Sequence, residues 1–446
     1  MRSHIPLIWS VLVSLLGVFS TGAGDPPGIL QRTVDRVDVQ SPDTTNMLAR
    51  VKLLSSPEFA GRGNGTGPAQ VAADTIAHWF AAAGLEPGSS GSWYQDFTLK
   101  GEGLAGLPAR NVVGIRMGQS ILAGRYIVIG AHYDHLGCQV DALQAEREPP
   151  AAGEYYPGAD DNASGVAVLV ELARLTAQLS EPEHTPPVSS SALRSCIFVA
   201  FVGEEVGLQG SAYFVKNLPV PRDSIDVMIN LDSVGRLREG RLYVAGVGTS
   251  ENLPALVEAA NYGGLNLEVS LGGWDASDHV SFNTIEVPVI FLFTGPHADY
   301  HRPTDSWHTV RATGMGQVAT YTLHLLDNLR THSGTLPYQV VTKMSSERPE
   351  AGPTSQRKAW LGTIPDFTEE ITGVKLAGVM DGSPAAGAGL TKGDIIVGLG
   401  GEAVADLAGL AQLLRAFRPG EKVVVVVLRE GNRLEFEVTL AQRSHR

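Results

Sequence analysis

The stretch Tyr126-Ile127-Val128-Ile129-Gly130-Ala131-His132-Tyr133-Asp134-His135 reads as a buried β-strand that runs out into residues able to bind a metal or move a proton. Two more apolar, β-branched runs repeat the pattern. Ile197 to Val202 leads into Gly203-Glu204-Glu205-Val206-Gly207-Leu208, and Val227-Met228-Ile229 leads into Asn230-Leu231-Asp232-Ser233. Val287 to Phe293 adds a fourth strand, followed by the turn-rich loop His297 to Asp305. Helical spacing fills the intervals at Pro68 to Leu85 (through Val71, Ile76, Trp79 and Phe80), Ala163 to Leu179, Leu253 to Ala260 and Gly316 to Leu329. Strands alternating with helices predict an α/β fold, with a mostly parallel (mixed) sheet covered by helices on both faces.

Such sheets place their sites beyond the carboxyl ends of the strands, and here every strand ends in ionisable residues. Gly158-Ala159-Asp160-Asp161-Asn162-Ala163-Ser164-Gly165 adds two adjacent acids at a turn opening a helix. Taken singly, each has an ordinary explanation: a structural histidine, a helix-capping aspartate, a solvated glutamate pair. Together they form a donor set of histidines and carboxylates with no cysteine beside the acids. That chemistry suits Zn²⁺, or a close relative such as Mn²⁺ or Co²⁺. A carboxylate bridging two ions explains why so many acids converge. Adjacent Glu204 and Glu205 repel unless a cation or a shared proton separates their roles.

Composition limits the alternatives. At 446 residues the chain exceeds one ordinary domain, and 43% hydrophobic against 18% charged residues supports a large core. A net charge of −13 without any Lys/Arg cluster excludes a nucleic-acid binder and gives no sign of a polyanionic substrate. Residues 1–23 read as an export signal: Arg2 supplies a positive charge, Ile5 to Phe19 an apolar core, and Thr21-Gly22-Ala23 a cleavage site. An uncleaved anchor is the alternative, but the run falls short of the ~20 residues a spanning helix needs. The expected location is therefore periplasmic, extracellular or cell-envelope, with no membrane span after signal cleavage. Cys138 and Cys196 could pair there, or simply be small buried residues.

Residues 24–45 form a proline-bearing arm, 46–332 the first domain, 333–357 a linker rich in Ser, Thr, Pro and charge, and 358–443 a second module. In that module Gly382-Ser383-Pro384-Ala385-Ala386, Ala388-Gly389-Leu390 and Lys392-Gly393-Asp394-Ile395-Ile396 precede an apolar helix through Leu407, Leu410, Leu413 and Leu414. A hairpin from Val423 to Leu440 turns at Glu430-Gly431-Asn432.

On these motifs the first domain, over roughly Asn46 to Leu329, resembles the co-catalytic di-zinc exopeptidases of the aminopeptidase Y and bacterial leucyl aminopeptidase type. The resemblance implies two zinc ions per chain: His132 and Asp232 on one, Glu205 and His301 on the other, Asp161 bridging both. It implies that Asp134 buttresses His132, that Glu204 is the general base, and that a water shared by the ions attacks the peptide bond nearest the substrate amino terminus. Tyr300 or backbone amides are candidates for steadying the oxyanion, and Ser277-Asp278-His279 either lies near the pocket or caps a helix. The second module resembles a PDZ domain of the bacterial, protease-associated kind. Its Leu361-Gly362-Thr363-Ile364 then sits where peptide C-termini are bound, although Trp360 and Thr363 depart from the commonest residues, and packing on the first domain is the other reading.

Three alternatives stay open. A carboxypeptidase or dipeptidase of the same fold needs a cation for the substrate carboxylate, for which Arg236 and Arg302 are candidates. A glutaminyl cyclase uses one zinc. A non-catalytic scaffold would use the PDZ-like module alone.

Overall fold

The computed structural model describes residues 41–101, 103–138, 154–178, 192–272, 277–295, 297, 299–341, 359–365, 373–379, 383–404, 409–410, 413–414 and 417–442. The expected signal segment, most of the arm and linker, Trp274, Gly382 and Leu407 lie outside them.

The first domain is built on a nine-stranded sheet. Its strands are β1 (Glu86–Pro87), β2 (Tyr94–Thr98), β3 (Pro108–Arg116), β4 (Tyr126–His132), β5 (Ser195–Phe201), β6 (Ile225–Leu231), β7 (Arg241–Ala245), β8 (Asn266–Ser270) and β9 (Val289–Phe293). The order is β1-β3-β5-β4-β6-β9-β7-β8, with β2 on β3. The four strands expected from sequence occupy its centre, and their mutual pairings β5·β4, β4·β6 and β6·β9 are all parallel. β3 on β5 and β7 on β9 are antiparallel, which makes the sheet mixed. His132 lies level with Phe201, and Leu231 with Leu292, so the loops after β5, β4, β6 and β9 emerge side by side at one end.

Alternation along the strands sends side chains to two separate cores. Ile127, Ile129, Phe198 and Ile229 point to one, packed against α1 (Thr44–Leu54), α2 (Gly67–Ala82), α3 (Gly165–Thr176), α5 (Leu253–Ala259) and α7 (Ala312–Thr331). Val128, Ile197, Val199 and Met228 point to the other, against Phe214 of α4 (Gln209–Lys216) and Phe282 of α6 (His279–Asn283). Gly130 belongs in β4 because a Cβ there would lie 2.4 Å from the Phe201 ring and 3.0 Å from Met228 Cε.

Two helices differ from the sequence expectation. α2 starts at Gly67, capped by the Thr66 side chain, and buries Ala69, Ala72, Ala73, Ile76, Ala77 and Phe80. Val71 falls off that stripe and is 54% exposed. α3 starts at Gly165 and not Ala163, because Asp161 and Asn162 break the helical backbone. Cys138 and Cys196 are both unpaired. No helix among the described residues is long and apolar enough to cross a membrane.

The C-terminal module is β-rich with its own core. Its elements are β10 (Ala359–Trp360), β11 (Thr363–Pro365), β12 (Val374–Val379), α8 (Pro384–Ala388), β13 (Ile395–Leu399), β14 (Glu402–Ala403), β15 (Lys422–Arg429), β16 (Asn432–Thr439) and β17 (Ala441–Gln442). β11-β12-β13-β15-β16 form one sheet with β14 on β13, while β10 pairs with β17. The expected hairpin is β15–β16. Its two-residue turn places Glu430 and Gly431 at φ 53° and 80°, as a type I′ turn requires. Leu410, from the expected apolar helix, is buried in this core.

Candidate metal centre

The parallel strands deliver the expected residues to one place. His132 ends β4, Glu204 and Glu205 follow β5, Asp232 follows β6, His301 lies in the loop beyond β9, and Asp161 sits in the turn before α3. His132 Nε2 is 3.2 Å from Asp161 Oδ1 and 3.5 Å from Asp232 Oδ1. His301 Nε2 is 2.8 Å from Asp161 Oδ2 and 3.1 Å from Glu205 Oε1. Asp161 thus offers one oxygen to each of two groups, His132/Asp161/Asp232 and His135/Asp161/Glu205/His301.

The donor atoms fit zinc. Two donors on a tetrahedral ion with bonds near 2.0–2.1 Å stand about 3.3 Å apart, and the four separations above cluster around that. Asp161 Oδ2, Glu205 Oε1 and His135 Nδ1 are buried without a well-formed hydrogen bond. Buried polar atoms normally find partners, so their convergence marks a cation site. His132 Nδ1 donates to the Asp134 carbonyl at 3.1 Å, which turns Nε2 toward Asp161 and Asp232.

The protein's own charges separate the two glutamates. Burial pushes the Glu204 carboxyl well above its usual range, opposed by His132 and reinforced by Glu205, Asp232 and Asp278. Burial acts on Glu205 too, but His301 and His135 outweigh it and hold that carboxyl far below the usual range. Asp161 is also held well below, by His301 and His132 against its burial. His301 rises to about 9: burial opposes its charge, and Glu205 and Asp161 prevail. The site therefore drives the two neighbouring carboxyls in opposite directions, as a division into ligand and base requires.

The Asp134 carboxylate stands 3.8 Å from His132 Nδ1, within ion-pair reach but too far for a hydrogen bond. That carboxylate accepts from the backbone amides of Glu204 and Glu205, each at 3.3 Å, and from Asn64 Nδ2 at 2.8 Å. Asp278 makes no capping hydrogen bond to α6; it is fully buried, and burial raises it to about 7. Tyr300 stacks on the His301 ring with centroids 3.8 Å apart, fixing the imidazole plane. Of the two candidate substrate-binding cations, Arg302 is exposed. Arg236 is buried, pairs with Asp299 and reaches His297 Nδ1 and the Thr309 carbonyl.

Three supporting groups lay beyond sequence reasoning. Fully buried Arg62 donates to the carbonyls of Tyr133, Leu54, Pro157 and Gly158 at 2.7, 2.6, 2.8 and 2.8 Å, tying the strand end that carries His132 to the turn that carries Asp161. Asp305 accepts from the amides of Asp160 and Asp161 at 3.0 and 3.1 Å. His135 stands in the second donor group. Only its place three residues past His132, in a strand-end loop, could have flagged it.

Residues 111–326 match the family model for peptidase family M28, and residues 350–440 match that for a PDZ domain. The chain is 28% identical over 233 residues to aminopeptidase YwaD of Bacillus subtilis, covering 50% of this chain and 45% of that one, so it spans about half the length of this curated relative. Its fold resembles a Zn-dependent exopeptidase from Parabacteroides distasonis (TM-score 0.52, 18% identity, 65% of this chain and 99% of that one). It also resembles Porphyromonas gingivalis glutaminyl cyclase (TM-score 0.50, 21% identity, 65% and 99%). At such identities the likeness establishes the fold alone, and that fold serves both a peptidase and a cyclase. With two donor groups at the strand ends and a β-rich module after them, the chain carries a peptidase family M28 domain followed by a PDZ domain.

Proposed function

We propose that the protein is a zinc-dependent exopeptidase that removes residues from the amino termini of peptides. The observation that carries this reading is Asp161 shared between two donor groups beside Glu204. His132, Asp161 and Asp232 would hold one zinc ion, and Asp161, Glu205 and His301 a second. Bound zinc supplies a water acidified toward neutral pH and a Lewis acid for the scissile carbonyl. Glu204, whose carboxyl the site pushes up, takes the proton of the attacking water and returns it to the leaving amine. Asp134 keeps Glu204 and Glu205 at their stations through their amides.

The substrate end is argued from charge. Arg236, which a carboxypeptidase would need, is spent on Asp299 and His297. The two donor groups also exceed what a one-zinc cyclase uses. The PDZ domain would bind extended peptide C-termini at the edge near Leu361 and Gly362, and the apolar segment Ile5 to Phe19 supports export.

A panel of free aminoacyl substrates, N-blocked peptides and C-terminal reporters, run with zinc content measured on the same sample, tests the reading. Cleavage confined to free amino termini, with two zinc ions per chain, is the expected outcome. Turnover of N-blocked peptides from their C-termini overturns it.

A further inference from the structure

His135 has no role in the ligand set carried by His132, Asp161, Glu205, Asp232 and His301, yet its ring stands among them. It is 1% exposed, with Nδ1 2.7 Å from Glu205 Oε1 and 3.8 Å from Asp161 Oδ2. Despite that proximity neither ring nitrogen makes a well-formed hydrogen bond. The ring is also held where it is. It lies edge-on to His301 at 5.5 Å and to Tyr156 at 6.5 Å between centroids. Gly158 backs it from another side, at φ 55°, where a Cβ would come within 2.5 Å of the His135 ring. Any side chain at position 158 would push the imidazole out of this orientation.

We infer that His135 is a direct ligand of the ion held by Glu205 and His301, so that this position has four protein donors while the His132/Asp161/Asp232 position has three. The inference rests on the metal-binding reading above. Its consequence is that the two positions differ in kind. Four protein donors close a zinc site, as in structural sites, whereas three leave a place for water or substrate, as in catalytic ones. The ion beside His135 would then be the tighter and less exchangeable of the two, and substrate would meet the ion beside His132 and Asp232.

The test is metal binding, read without turnover. Wild-type protein, stripped and titrated with Co²⁺, should fill two positions in sequence with distinct visible absorption. His135→Gln keeps an N–H that can reach Glu205 but loses the imidazole donor. It should weaken the tighter position by more than about 100-fold, beyond the 10–100-fold typical of losing an orienting partner, and alter that position's spectrum alone. His135→Cys should place a thiolate on the ion and give a thiolate-to-cobalt charge-transfer band, which also guards against misfolding as the cause of lost binding. If His135→Gln binds both ions as wild type does and His135→Cys gives no such band, the ring merely orients Glu205 and the inference falls. If wild-type protein binds no ion at all, the metal-binding reading itself falls.

Discussion

The Asp134 carboxylate, at the end of one strand, accepts a hydrogen bond from the Glu205 amide at the end of its neighbour. It accepts equally from Glu204, so one buried anion sets the height of both glutamates. Asp134→Ala removes that anchor while leaving every proposed ligand in the chain. The expected outcome is a 10–100-fold loss of zinc affinity at the Glu205 position together with lower kcat, measured by metal titration and steady-state kinetics on one preparation.

Glu204→Gln preserves volume and deletes proton transfer. Two zinc ions should remain, while kcat falls by about 10²–10⁴-fold, the range general base catalysis supplies. Near wild-type turnover in this variant would remove Glu204 from the mechanism.

Chelation should destabilise the first domain. Asp161, Glu205 and Asp232 converge with only histidines and the more distant Arg62 to offset their charge. An ion present at about 100 times its Kd adds about 2.7 kcal/mol by mass action, so stripping should lower Tm by about 5–10 °C for a domain of this size. Calorimetry with and without chelator gives the comparison, and restored zinc should recover the loss.

Much of this centre was legible in the chain. Runs such as Ile127-Val128-Ile129 and Ile197 to Val202 are apolar on both faces, so they could only be interior strands, and the ionisable residues that follow them had to meet at one sheet end. What stayed hidden depends on contacts between distant segments. Arg62 lies in a short irregular stretch, and its acceptors Tyr133, Pro157 and Gly158 belong to two other loops. For Asp134 the sequence suggested His132 as partner but not its second contact, the neighbouring strand's amides, which only the folded loop brings to the carboxylate. The helix stripe of α2 was misread at Val71 because a branched apolar residue in a helical run looks buried until the neighbouring strand sets the facing angle.

Arg62 makes its own prediction. Burial lowers it to about 10, so it remains charged at neutral pH and compensates nearby Asp161, Asp134 and Asp305. Arg62→Met should destabilise the domain by about 3 kcal/mol or more, because four buried carbonyls lose a charged donor. Denaturant unfolding measures the loss, and zinc binding should weaken alongside it.

In the PDZ domain, buried Asp394 accepts from Arg429 Nε and Nη2 at 2.6 and 2.8 Å and from the Thr391 amide at 2.9 Å. Burial works against its charge, but Arg429 and Thr391 hold its carboxyl below the ordinary 3.8. The unfolded chain therefore takes up the proton first as pH falls. The stabilisation is fully present well above the unfolded value of 3.8 and is lost as pH drops through the folded value. Unfolding of this domain should steepen below about pH 4, and Asp394→Asn should flatten that acid limb while lowering stability at pH 7.

The order β5-β4-β6-β9 has a bearing on synthesis. Strands adjacent in space lie far apart along the chain, and His301 follows the last of them. A growing polypeptide can assemble the His132/Asp161/Asp232 group once β6 is made, but not the Glu205/His301 group until the loop past β9 has emerged. The position that needs Glu205 and His301 together is therefore complete only when nearly the whole of the first sheet has been made, β9 being its last strand in chain order.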